Sequence, residues 1–177
     1  MSHDSALADL EAYSAAAREI ERLLAGDPDL LQRAVPAISG WAPVQHAAHV
    51  TLANELVLRN LVNLAKGSGL LVLFEAEPKP AALAVLASGA LPRGVAKAPR
   101  MVTPPLDIDV RVAREWASKL TADLDALRAS IDVASAPRCF IPHQELGPLD
   151  LGQWIRFGLV HSRHHLAIAR EVMAVSS

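Results

Sequence analysis

The chain has 177 residues, enough to bury a real core, and 51% of them are hydrophobic although only 4% are aromatic. Ala, Leu and Val supply most of that apolar content, which favours helices over sheets. A formal charge of −2 offers nucleic acid no basic face, and the single Cys139 excludes an internal disulfide framework and fits a reducing compartment. No run of about 18 uncharged apolar residues is present to span a membrane. The opening residues MSHDSALADLEAY carry acids and lack the basic start of a secretory leader. The expectation is a soluble, cytoplasmic protein forming a single domain over residues 1–177.

In chain order, Ser5 to Ala25 is predicted as the first helix, because Leu7, Leu10, Tyr13, Ala17, Ile20 and Leu24 step by threes and fours. Gly26 caps it and Asp27-Pro28 closes it. Leu30, Leu31, Val35 and Ile38 then belong to a connector that packs locally or forms one short turn. A second helix opens at Trp41-Ala42-Pro43, where Pro43 suits the first turn, and runs through QHAAHVTLANELVLRNLVNLAK to Gly67. His46 and His49 lie about 60° apart on its apolar face. Periodicity does not say which of the two points to the centre, and either reads equally as a boundary histidine.

From Leu70 to Leu106 the pattern breaks up, and half of the twelve prolines fall here. AALAVLASGAL predicts a short helix ending at Gly89, and PRGVAKAPRMVTPP a long ordered excursion. A proline-restricted backbone holds a shape without regular structure. Part of this excursion is expected to fold over one end of the molecule with Val95, Met101 and Val102 inward; the alternative is a loop on the far side. Asp107 or Asp109 caps a third long helix reaching about Ala134, with Ala113, Trp116, Leu120, Leu124, Leu127 and Ile131 as its stripe. SAPRCFIPHQELGPLD connects onward and delivers His143 and Glu145 to the same end.

Asp150 then caps the last helix, predicted over residues 152 to 173. At about 100° per residue, Trp154, Gly158, His161, His165, Ile168 and Val172 fall within roughly 40° of one direction. Two imidazoles thus stand one turn apart in an apolar stripe, with Cβ atoms ~5–6 Å apart, and both rings can reach one ion. A metal would compensate their burial; a pair of core histidines satisfied by backbone or water is the alternative. His164 lies about 80° from the stripe. Any metal needs a third ligand from elsewhere in the chain. Four amphipathic helices with two longer connections predict an all-α four-helix bundle with a Pro-rich excursion between the second and third.

Trp41 followed eight residues later by His49, in WAPVQHAAH, the H-x3-H of His161 and His165, in HSRHH, and the lead-in HQELGPLDLGQW occur in an order that resembles the DinB-like (YfiT-like) metal-dependent enzymes. The resemblance covers most of the chain. It implies a four-helix bundle with metal ligation by His49, His161 and His165, and it alone prefers His49 to His46. His46 is expected to matter for stability or pocket shape more than for metal occupancy. One departure stands out: Gln144 follows His143 where members commonly carry Pro, which weakens any role of that segment in shaping the pocket.

Three neutral imidazoles leave a divalent cation an open position, as in catalytic sites. Such ligands suit a divalent transition metal, zinc or nickel first, with iron and copper also compatible. Water there would lose a proton near neutrality, and a thiol would become a thiolate. The resemblance points to the thiol: a thiol-dependent S-transferase or isomerase joining a low-molecular-weight thiol to a small electrophile. A hydrolase using metal-bound water is one alternative. A metal-free, non-catalytic dimeric interaction module is another, with Ala15, Ala16, Ala17, Ala47 and Ala48 allowing close helix approach. The resemblance also implies a homodimer. Glu55, Glu145 and Asp150 are candidate orienting carboxylates by position, each reading more simply as a surface or capping group. Cys139 reads as a buried structural thiol. His164 and Arg163 adjoin the site, where either could meet a substrate or face water.

Overall fold

The computed structural model describes residues 3–176. In order it comprises α1 (His3–Leu24), α2 (Pro28–Gln32), α3 (Pro43–Lys66), α4 (Pro80–Ser88), a 3-10 turn (Arg100–Val102), α5 (Val110–Ser130), β1 (Ile141–His143), β2 (Gly147–Leu149) and α6 (Leu151–Ser176). The four long helices form the bundle expected. α1 packs on α5 and α6, and α3 packs on the same two, so the order around the bundle is α1, α5, α3, α6. The two histidine-bearing helices, α3 and α6, are therefore neighbours, and theirs is the most extensive helix pairing.

Local chemistry sets the helix ends. Pro43 sits in the first turn of α3, and the Ala42 amide donates to Gln45 Oε1 at 2.9 Å. Gly67 ends that helix with φ 60°, a conformation only glycine adopts cheaply. Asp109, rather than Asp107, caps α5 by accepting from the Arg111 amide at 2.6 Å. Asp150 and Gln153 cap α6 reciprocally: each side chain accepts from the other's amide at 2.8 Å.

The core is aliphatic, with Leu10, Ile20, Leu24, Leu61, Leu64, Leu120, Leu124 and Ile155 almost wholly buried. Ala16, Ala17, Ala47 and Ala48 belong to it. Their small side chains let the bundle's own helices approach and leave only Ala15 exposed of the five alanines named above. Gly158 marks a close approach of α1 and α6, since a Cβ there would lie 2.6 Å from the Tyr13 ring.

Two elements depart from expectation. The segment before α6 contains an antiparallel hairpin, β1 with β2, in the register Ile141–Leu149, Pro142–Pro148 and His143–Gly147. Three-residue strands carrying two prolines leave no period-2 signal to read. Leu73 bonds to Phe140 through both amides at 2.8 Å, adding a bridge on the other edge of β1. In the Pro-rich excursion only Val102 turns inward as expected; Val95 and Met101 are 75% and 71% exposed.

Candidate metal centre

α3 and α6 present four rings to one another near the end of the bundle where α3 begins. His49, His161 and His165 each bring one ring nitrogen to within 4.8 Å of the other two. The i, i+4 step on α6 brings two of these rings together one turn apart, edge to face at 4.7 Å between centroids. His49 meets them from α3 at 5.0 Å and 4.6 Å. The three together could hold a divalent metal ion.

The hydrogen bonds show how well the donor set fits an ion. The carbonyl of Val102 can only accept, so the 2.8 Å contact with His49 Nδ1 places the proton there. His49 Nε2 is left as a lone pair aimed at His161 Nε2, 3.1 Å away. This is the arrangement in which an outer acceptor fixes a ligand's tautomer. His161 Nδ1 is buried without a partner. The rings are held neutral, as ligation requires. Burial lowers the His161 and His165 values well below the ordinary imidazole range, and the neighbouring imidazoles add to it. Burial also lowers His49, against the Val102 bond, which raises it. Besides burial, the groups that lower the three converging rings are other imidazoles, while the Arg93 guanidinium acts on His46 and His164.

His46 lies one turn before His49 and is equally buried, at 3% against 4% exposure. It does not join the three converging nitrogens. Its Nδ1 contacts His165 Nδ1 at 2.9 Å and its Nε2 contacts Ser39 Oγ at 2.8 Å. Burial first, then His49, His164 and Arg93, bring it down to about 4. Trp41 walls this side, its ring 5.5 Å from His46, 5.1 Å from His49 and 6.3 Å from His165. Opposite, Phe157 stacks on His161 at 5.3 Å and His143 packs on Phe157 at 4.4 Å. His143 Nδ1 accepts from the Glu145 and Leu146 amides, 3.1 Å and 3.2 Å away, so its remaining proton sits on Nε2.

The other sequence candidates stand outside the cluster. His164 is half-buried, 5.0 Å from His165 between centroids, and burial and Arg93 lower it while the Leu91 backbone raises it. Arg163 is exposed. Asp150 is the α6 cap, Glu145 is exposed and accepts from Gln144, and Glu55 lies further along α3. Cys139 is buried and donates to the Leu64 carbonyl at 3.5 Å. Two contacts had no signal in the sequence: the Val102 carbonyl, which depends on the course of a loop 53 residues beyond His49, and the pairing of His46 with His165.

No helix among the described residues is long and apolar enough to cross a membrane. Comparison with curated proteins and with solved structures returned no match. The family model of the DinB superfamily matches residues 12–169, a span that takes in α3, α5, most of α1 and α6, and the three converging histidines. The chain belongs to the DinB superfamily.

Proposed function

We propose that the protein is a metal-dependent S-transferase in which His49, His161 and His165 hold the ion and the substrate pair is a low-molecular-weight thiol and a small electrophile. The observation that carries this reading is the convergence of three imidazole nitrogens within 4.8 Å of one another, with no carboxylate in the group. A divalent ion there would keep its full positive charge in a buried place and would favour an anionic partner, holding a thiol as its thiolate. The chain's own residues do the rest. The Val102 carbonyl holds His49 in the ligating tautomer, and the 3-10 turn carrying it excludes water from one side. Trp41 and Phe157 close two more sides with apolar surface suited to an uncharged electrophile.

The hydrolytic reading has less support, since it calls for a general base beside the attacking water, and no carboxylate joins the three converging histidines. The test is purification without an affinity tag, metal analysis, and a screen of several cellular thiols against a bimane and a chloroaromatic electrophile. Thiol consumption that disappears with chelation and returns with zinc or nickel is the expected result. Consumption indifferent to chelation, or an ester or amide cleaved faster than any thiol is joined, rejects it.

A further inference from the structure

The three converging rings differ in what stands behind them. His49 is backed by a carbonyl, His161 by nothing, and His165 by another imidazole, that of His46. A carbonyl can only accept, so the His49 tautomer is fixed by the fold. An imidazole nitrogen can accept or donate, so the His165 tautomer depends on its partner. Two Nδ1 atoms 2.9 Å apart need one proton between them, because two lone pairs repel and two protons collide.

Two settings satisfy this geometry. In the first, His165 Nδ1–H donates to His46 Nδ1, and His46 then carries its own proton on Nε2 and donates it to Ser39 Oγ at 2.8 Å. Ser39 Oγ also accepts from the Trp41 amide at 3.1 Å, so both of its lone pairs are engaged and its hydroxyl proton is free to turn away. In the second, every proton runs the other way: Ser39 donates to His46, His46 donates to His165, and His165 is left with Nε2–H. Only the first setting gives His165 a free lone pair on Nε2.

We propose that His46 is a positioning residue for the metal centre, holding His165 with Nδ1 protonated and Nε2 free, and that Ser39 completes a three-residue relay with it. This rests on the reading of His49, His161 and His165 as ligands, and it adds a function for a histidine outside that set. It also revises the expectation that His46 matters for stability or pocket shape more than for metal occupancy. Ser39 lies just ahead of α3, His46 within it and His165 on α6, so the relay ties the ligand tautomer to the packing of those two helices.

The direct test needs no variant. In zinc-loaded protein with 15N-labelled histidine, long-range imidazole spectra report which nitrogen of each ring carries the proton. His165 is expected to show Nδ1–H with zinc on Nε2; zinc on His165 Nδ1 overturns the proposal. Zinc affinity is then measured by competition with a chromogenic chelator. His46→Leu should weaken binding 10- to 100-fold, the usual range for an outer partner. His46→Asn, whose carbonyl oxygen can stand near the lost Nδ1 and accept the same proton, should recover to within a few fold of wild type. Leu binding as tightly as wild type, or Asn binding as weakly as Leu, rejects the relay and leaves the three-histidine centre intact. A wild-type protein that takes up no zinc rejects the centre itself, and the relay with it. Circular dichroism melts of each variant separate loss of affinity from loss of fold.

Discussion

At the scale of single residues, three imidazoles converge and a fourth stands beside them. On the proposed reading, His161→Ala or His165→Ala removes one of three protein ligands, so stoichiometric metal should be lost from either variant. His164 is half-buried and outside the set, so His164→Ala should hold metal within a few fold of wild type. Metal analysis of the three purified variants checks this, and an empty His164→Ala beside a loaded His165→Ala would reverse the assignment. The choice of His165 over His164 was legible in the sequence, because an angular offset of about 80° separates a stripe residue from its neighbour. Periodicity did not separate His46 from His49; only the family resemblance, through the spacing from Trp41, pointed to His49, the one that joins the converging group. The two are about 60° apart, both lie on the apolar face, and both end up nearly fully buried. What separates them is the partner each ring meets: the Val102 carbonyl and His161 for one, Ser39 and His165 for the other.

Among the elements, the long helices and their caps could be read from spacing and from Pro, Asp and Gly at their ends. The hairpin could not, and of the excursion only the inward turn of Val102 was foreseen, because tertiary contacts fix the rest. Arg93 pairs with Glu171 at 2.7 Å, and the buried Val102 accepts from His49 through its carbonyl, so α3 and α6 anchor the excursion at points far apart in sequence. The α1–α6 contact makes the sharpest prediction at this scale. With Tyr13 already against the α6 backbone, Gly158→Ala forces a methyl into its ring at 2.6 Å. Overpacking of that kind should cost about 1–3 kcal/mol, read as a lower urea midpoint with an unchanged slope. Tyr13→Phe tests the same place from the other side. The Tyr13 hydroxyl is fully buried and has no partner, so its removal should leave stability unchanged or raise it. A loss above about 1 kcal/mol would mean that a buried water satisfies that oxygen.

For the whole molecule, the grouping of neutral histidines makes stability depend on pH in one direction. His46, on the metal side, and His143, on the hairpin, are both brought down to about 4, by burial before any other cause. His49, His161, His164 and His165 are lowered as well, again by burial first. In the unfolded chain each ring takes up a proton near 6.5. Above that pH both states are neutral and the rings make stability no different. As pH falls below about 6.5 the unfolded state binds protons that the folded state refuses, so stability drops. For His46 and His143 the drop continues to about 4, where the folded rings also protonate. Each ring contributes at most about 1.4 kcal/mol per pH unit within its window. Urea melts of metal-free protein at pH 7.5, 6.5, 5.5 and 4.5 should therefore show a shallow first step, as the unfolded rings begin to protonate, followed by a steeper decline. His143→Gln isolates one contribution away from the converging nitrogens, since His143 Nδ1 is occupied by two backbone amides that a proton would expel. That variant should decline less steeply by up to one proton's share. A wild-type midpoint unchanged between pH 6.5 and 4.5 would mean that the rings take up protons in the folded state, and the neutrality on which the metal centre depends would be lost.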